Sequence, residues 1–220
     1  MKAPLTLALD ASTYLGTVAV LRGSDVVSEG EAQMRGEREE RLMPAVADVL
    51  TMAHADAADL DRVVCGGGPG SFTSLRIAAS IAKGIALVHD IPLVAVSSLA
   101  LIVAARRRSA GRYLAVLDAM RGDVYASLVD VGVDGEVISV SPATLVPDAD
   151  VDLLAASEQA LVIGAGRHTE GAPHARGVAR MSAFLDDGRV SLQYWEPAYG
   201  RLAEAQVKWE AAHGRELPAS

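Results

Sequence analysis

Thr6-Leu7-Ala8-Leu9-Asp10-Ala11, near the start of the chain, is answered past the midpoint by Tyr113-Leu114-Ala115-Val116-Leu117-Asp118-Ala119. Each is an apolar strand pattern that stops on Leu-Asp-Ala, with a glycine and a second strand pattern soon after. A second echo follows in the same order: Val63-Val64-Cys65-Gly66-Gly67-Gly68 returns as Ala160-Leu161-Val162-Ile163-Gly164-Ala165-Gly166. One such match is within the reach of chance in a chain rich in alanine and valine. Two in order point to a duplicated unit.

Working outward from the first echo, Leu5–Asp10, Thr17–Arg22 and Val26–Met34 read as three strands of a meander, with turns at 11–16 and 23–25. Residues 37–53 have a helical period through Leu42, Val46, Val49, Leu50 and Ala53. Pro44 either kinks this helix or marks its true start. Arg62–Cys65 is a short buried strand, and the glycine loop 66–70 leads into a long helix over Ser71–His89, capped by Ser71 or Thr73. Pro92–Ser97 and Ser98–Arg108 complete the unit as strand and helix. Beyond Gly111 the second copy shows strands over Val124–Val131 and Val137–Val140 and a short helix over Asp150–Ala156. The unit β-β-β-α-β-α-β-α, present twice with the second copy worn down, gives mixed sheets covered by helices. That is the α/β, duplicated RNase H-like double lobe of actin, Hsp70 and sugar kinases (the ASKHA type). We expect lobes at 1–108 and 109–196, a C-terminal helix over 197–213 able to join the first, and ligands in the cleft between them.

Composition narrows the function classes. Half of the 220 residues are hydrophobic, so a packed core is expected. The net charge of -8, from 28 acidic and 20 basic residues, opposes direct binding to a phosphate backbone. The one basic run, Arg106-Arg107-Arg108, reads as a solvated helix end in preference to a nucleic-acid contact. A single cysteine, Cys65, allows no internal disulfide and sits in an apolar run as a small hydrophobe. The start runs into a strand pattern with no secretory segment, and no uninterrupted apolar run approaches the ~20 residues of a membrane span. A cytoplasmic, membrane-free protein is expected.

Two constellations could carry chemistry. Asp10 with Ser12 and Thr13 can hold a metal-bound phosphate or place a general base, or the aspartate can cap its own turn. Gly68, Pro69, Gly70 and Ser71, between a strand and a helix N-terminus, can bind an anion or nucleotide phosphate through backbone N–H groups. The same loop can equally be a tight connection that lets helix and sheet pack. It is neither a P-loop nor a clean dinucleotide fingerprint. Asp118 lacks the following hydroxyls and reads as structural. The histidines at 54, 89, 168, 174 and 213 form no helical pair, so no metal site is expected. Ser71, Ser97 and Ser98 have no nucleophile elbow, and no catalytic residue is identified. The helix Ser71–His89 carries two apolar stripes, Leu75-Ala78-Ala82-Ile85 and Ile77-Ile81-Gly84-Val88. The second fits either the preceding helix or a partner chain approaching at Ser80 and Gly84. Spare apolar residues at Met43, Ala47 and Met52 favour the partner.

The segments Leu7-Ala8-Leu9-Asp10-Ala11-Ser12-Thr13, Gly66-x-Gly68-Pro69-Gly70-Ser71-Phe72-Thr73-x-Leu75-Arg76, Asp118-Ala119-x-Arg121-Gly122-x-Val124-Tyr125 and Glu196-Pro197-x-Tyr199 resemble the TsaB (YeaZ) family across nearly the whole chain. Gly-Pro-Gly-Ser-Phe-Thr is the most specific part. The resemblance implies a non-catalytic scaffold or activating subunit in the formation of N6-threonylcarbamoyladenosine in tRNAs that read codons beginning with A. It implies a TsaD-like catalytic partner bearing the metal-binding histidines, a TsaE-like ATPase, and contact with tRNA only through the complex. It also implies ATP or ADP with magnesium at or near the partner interface and none held by this chain alone, and a homodimer as an alternative assembly. The partner contact would fall on Arg38, Leu42, Met43 and Val46 of the first helix and Ile77, Ser80, Ile81, Gly84 and Val88 of the second. This chain departs from the family at Arg38, where many members keep histidine, and at Ser74, where glycine is usual. The rival readings are an independent small-molecule kinase or ATPase of the same fold, a metallopeptidase, and plain self-association.

Overall fold

The computed structural model describes residues 3–36 and 40–200. The first sheet opens with the expected meander: β1 (Leu5–Asp10), β2 (Leu15–Arg22) and β3 (Asp25–Gln33), antiparallel in sequence. Helix α1 (Leu42–Met52), β4 (Arg62–Gly66), α2 (Phe72–His89), β5 (Leu93–Val96) and α3 (Ser98–Ala104) follow. The strand order is β3-β2-β1-β4-β5, with β4 parallel to both β1 and β5. Every residue of β1 is buried, because the central strand of a sheet is covered on both faces. Its side chains alternate: Leu7 and Leu9 enter the core beneath α1 and α2, and Ala8 enters the core around α3.

The second sheet repeats the plan. It holds β6 (Gly111–Asp118), β7 (Asp123–Val131), β8 (Val137–Val140), β9 (Thr144–Pro147), β10 (Leu161–Gly164) and β11 (Thr169–Glu170), with α4 (Val151–Ser157) before β10 and α5 (Ser182–Leu185) after β11. Its order, β11-β10-β6-β7-β8, matches the first sheet strand for strand. Strands β8 and β9 pair with successive parts of β7 and share the edge place that β3 fills alone. The wear falls between β10 and β11, where a short turn at 165–168 replaces the long helix α2. The chain is thus a two-lobed α/β protein with two mixed sheets.

Helix boundaries differ from expectation for identifiable reasons. Helix α1 begins at Leu42, so Pro44 lies in its first turn, where its missing N–H costs nothing. Residues 37–39 lie outside the described residues. Helix α3 stops at Ala104, short of the arginine run, because it is apolar on every side and all seven of its residues are buried between the two sheets. Side chains of Val64, Val94 and Val96 from the first sheet and Tyr113, Ala115, Val129 and Ile163 from the second join it in one core.

After β11 the chain returns to the first sheet. The 3-10 segment Ala175–Arg180 is capped by His174, whose Nδ1 accepts from the Arg176 N–H. It is fixed to β2 by the Ala175 N–H donating to Thr17 Oγ1 at 3.0 Å. Residues 188–190 then hydrogen-bond along the free edge of β5. Of the helix expected over 197–213, residues 197–200 run without helix and 201–213 lie outside the described residues.

Candidate functional site

The end of β1 delivers Asp10 into a fully buried position. Its Oδ1 accepts from the Ser12 N–H at 3.0 Å and from Ser12 Oγ at 2.7 Å. Its Oδ2 accepts from Ser98 Oγ at 2.6 Å, on the first residue of α3. Ser98 Oγ accepts in turn from the Gly68 N–H at 3.0 Å, and the Ser98 N–H donates to the Gly68 carbonyl. One carboxylate therefore ties together the end of β1, the start of α3 and the glycine loop. Burial pushes the Asp10 carboxyl above the ordinary 3.8, and the hydrogen bonds from Ser98 and Ser12 only partly offset this.

The glycines are there for contact. A Cβ at Gly66 would overlap the Asp10 carboxylate, and one at Gly70 would overlap the Ser12 carbonyl. Gly68 combines a left-handed φ of 87° with an Ala198 carbonyl where a side chain would stand. That carbonyl belongs to a strap over 195–200. The Ala198 N–H donates to the Gly67 carbonyl at 2.8 Å. Tyr199 packs on Phe72 with ring centres 4.5 Å apart, and Arg76 lies over both rings with its Nε donating to the Tyr199 hydroxyl at 3.2 Å. Gly200 abuts the Tyr125 ring on the second sheet. The strap thus crosses the cleft from the glycine loop to the other lobe.

Three of the loop's backbone donors are spent within the chain. The Gly67 N–H goes to the Val96 carbonyl, the Gly68 N–H to Ser98, and the Ser71 N–H to the Ser12 carbonyl. Pro69 has no N–H to offer. Thr13 Oγ1 bonds to both the carbonyl and the N–H of Leu15, and Ser71 Oγ pairs with Ser74 Oγ at 3.0 Å. The structure does bring Asp10, Ser12, Thr13, Gly68, Pro69, Gly70 and Ser71 together, with the Asp10 carboxylate, the Ser12 and Ser71 hydroxyls and the Gly68 and Ser71 N–H groups bonded within the chain. The geometry favours the turn-capping and tight-connection alternatives over a phosphate cradle. Asp118, at the matching place in the second lobe, accepts from the Met120 N–H at 2.7 Å. Among the described residues, no group of three or more His, Cys, Asp or Glu converges as a metal would require.

The second candidate region is the outer face of α1 and α2. Leu75, Ala78, Ala82 and Ala86 of α2 face the sheet and are buried; Ile77, Ile81 and Ile85 are half-buried against the same core. Ser80 and Gly84 are exposed, and a Cβ at Gly84 would meet nothing within 4 Å. Leu87 and Val88 are 70% and 77% exposed, and Met43 and Met52 stand out from α1. A shallow groove of about 500 Å³ runs along this face, lined by Glu40, Phe72, Thr73, Arg76, Ile77, Ser80 and Ile81. The expected contact at Leu42 and Val46 needs correction. Leu42 and Val46 are fully enclosed under α1 and offer no surface to a partner, because α1 turns that stripe toward β2 and β3. Arg38 lies outside the described residues.

Sequence reasoning missed Ser98 and the strap. Ser98 lies 88 residues from Asp10, and a hydroxyl leaves no periodic trace. The only signal for the strap was the Glu196-Pro197-x-Tyr199 motif itself.

With this geometry in view, three comparisons bear on the chain. A family model described as TsaD, tRNA N6-adenosine threonylcarbamoyltransferase, matches residues 35–145. The tRNA threonylcarbamoyladenosine biosynthesis protein TsaB of Bacillus subtilis (strain 168) is 38% identical over 122 residues, 56% of this chain and 53% of that protein. TsaB of Escherichia coli (strain K12) is 38% identical over 121 residues, 54% of this chain and 52% of that protein. The chain thus spans about half the length of the curated relatives it matches. A crystal structure from Pseudomonas aeruginosa, of an uncharacterized protein with similarity to peptidase YeaZ, superposes with a TM-score of 0.77 at 27% identity, covering 90% of this chain and 100% of that one.

Proposed function

This chain belongs to the TsaB (YeaZ) family, and from that premise we propose that it is a non-catalytic scaffold and activating subunit in the formation of N6-threonylcarbamoyladenosine in tRNA. It binds a TsaD-like catalytic partner through the outer face of α1 and α2, with Met43, Ile77, Ser80, Ile81, Gly84 and Val88 in the contact. A TsaE-like ATPase joins the assembly, which works in the cytoplasm. A homodimer through the same face competes with it.

The observation that carries this reading is a contrast within the molecule. The Asp10 carboxylate, its hydroxyl partners and three donors of the glycine loop are engaged within the chain, while an apolar helical face is left uncovered. An independent kinase or ATPase needs the opposite: free donors at the glycine loop and no need of a partner. With three of the loop's donors already taken, this reading puts ATP or ADP with magnesium at or near the joint with the partner. Activation then consists of holding the partner's surface in one arrangement, with Gly84 and Ser80 permitting close backbone approach.

The test is light scattering of the chain alone and mixed with the TsaD-like protein of the same organism, with and without ATP. A defined heterocomplex that Gly84→Arg abolishes is the expected result. A complex indifferent to Gly84→Arg, or ATP turnover by the isolated chain, would overturn the proposal.

A further inference from the structure

The basic run Arg106-Arg107-Arg108 follows the last turn of α3, which ends at Ala104. Arg180, from the 3-10 segment Ala175–Arg180, arrives at the same place, and its Nη1 donates to the Ala104 carbonyl at 2.9 Å. The Arg107 stem lies along Gly135 in the β7–β8 turn, and Arg108 Nη2 donates to the Glu170 carbonyl at 3.4 Å. Arg107, Arg108 and Arg180 are thus held at one helix C-terminus where three segments of chain meet, and Arg106 stands exposed beside them in sequence. Neighbouring carboxylates are engaged elsewhere. Asp134 accepts from the Glu136 N–H, Glu136 from Ser182, and Glu170 from the Gly166 N–H.

Among the described residues none of these four arginines forms an ion pair, whereas Arg112, Arg167 and Arg176 each pair with a carboxylate. Among the described residues Arg108 Nε is buried without a hydrogen-bond partner, as is Arg176 Nε. The α3 dipole offsets part of the repulsion, and although the chain carries a net charge of -8, none of the neighbouring Asp134, Glu136 and Glu170 is ion-paired with these arginines among the described residues. Guanidinium forks match phosphate oxygens in geometry and keep their charge at any physiological pH. The location is also suitable. Helix α3 packs on one face of the first sheet and α1 and α2 on the other, so a partner seated on α1 and α2 leaves the cluster open.

We propose that Arg106, Arg107, Arg108 and Arg180 form a contact surface for the phosphodiester backbone of an RNA. The inference rests on the reading of this chain as a subunit of a tRNA-modifying complex, and it gives the subunit its own share of the RNA contact. Such contacts fix position and carry no sequence information, so binding through them is steeply salt-dependent and indifferent to sequence.

The experiment follows labelled tRNA by fluorescence anisotropy, across salt, on the full chain alone and on its mixture with the TsaD-like partner. Light scattering of each mixture runs alongside. Arg106→Gln with Arg107→Gln keeps both stems and removes two charges. The expected result is a salt slope lower by roughly 1.4–1.8 and an affinity lower by on the order of tenfold, with Arg106→Lys and Arg107→Lys restoring most of the slope. Equal slopes and affinities for wild type and the glutamine pair overturn the inference, as does a wild type that binds no RNA in either setting. Binding to phosphatidylserine vesicles in place of RNA overturns it too. An intact heterocomplex with arginine-independent RNA binding defeats this inference alone. Arginine-dependent RNA binding by a chain that forms no heterocomplex defeats the partner reading and sustains this one.

Discussion

Asp10 accepts three hydrogen bonds in a place that water does not reach. Asp10→Ala strands those donors, and the expected loss is about 3 kcal/mol, read from urea denaturation. If Asp10 is a structural cap, the folded fraction of this variant supports tRNA modification at the wild-type rate in a reconstituted system; loss of modification without loss of stability would give the residue a chemical role. Asp10→Asn keeps an acceptor for Ser12 and cannot ionise. The folded carboxyl titrates above 3.8, so its contribution to stability is full below that pH and is lost as pH rises through the folded value. The asparagine variant escapes that loss. Comparing urea midpoints of the two proteins from acid toward neutrality should show the gap moving in favour of asparagine, and a constant gap would reject the assignment. Asp10, Ser12 and Thr13 were legible in the sequence as a group because their geometry is local. What they do was not, since the deciding partner, Ser98, reaches them only through the packing of α3.

Helix α2 shows how far an element can be read from its period. Two apolar stripes were visible; the structure buries Leu75, Ala78 and Ala82 of the first, half-buries Ile85 with Ile77 and Ile81 of the second, and leaves Gly84 and Val88 exposed. On α1 the period left Met43 and Met52 spare, and both are exposed, whereas Leu42 and Val46, which only the family resemblance put in a partner contact, belong to the core. A period fixes which residues share a stripe; which stripe is covered depends on where the sheet lies. Gly84 turns this into a measurement. It sits in a helix interior with open space around it, where glycine costs about 1 kcal/mol relative to alanine. Gly84→Ala should therefore raise the stability of the isolated chain by about that amount in thermal or urea melts. A drop in stability would mean that the site is packed within the monomer. The glycine loop is the converse case. Its anion-binding look came from a strand-loop-helix pattern that says nothing about whether distant segments have already taken the donors, as Ser98 and Val96 have.

For the molecule as a whole, duplication was readable because both sheets start on the same strand and turn, and the strand orders agree throughout. The return of residues 174–190 to the first sheet left no sequence signal, since it is made by backbone hydrogen bonds across the fold. Cys65 reports on this scale. It is fully buried, and burial followed by the nearby Asp10 charge pushes its thiol far above its ordinary range. Labelling by a thiol reagent should be negligible in buffer and should rise along the same urea curve as loss of secondary structure; early labelling would reveal partial opening of the first sheet. Helix α3 has a larger consequence. A helix packed between two sheets serves both lobes, so melting one lobe strips the other of its inner wall. The transition should be all-or-none, with calorimetric and van't Hoff enthalpies equal, and chains cut between 108 and 109 should not fold until the halves are mixed. The two lobes, repeated in plan, are bound into a single cooperative unit.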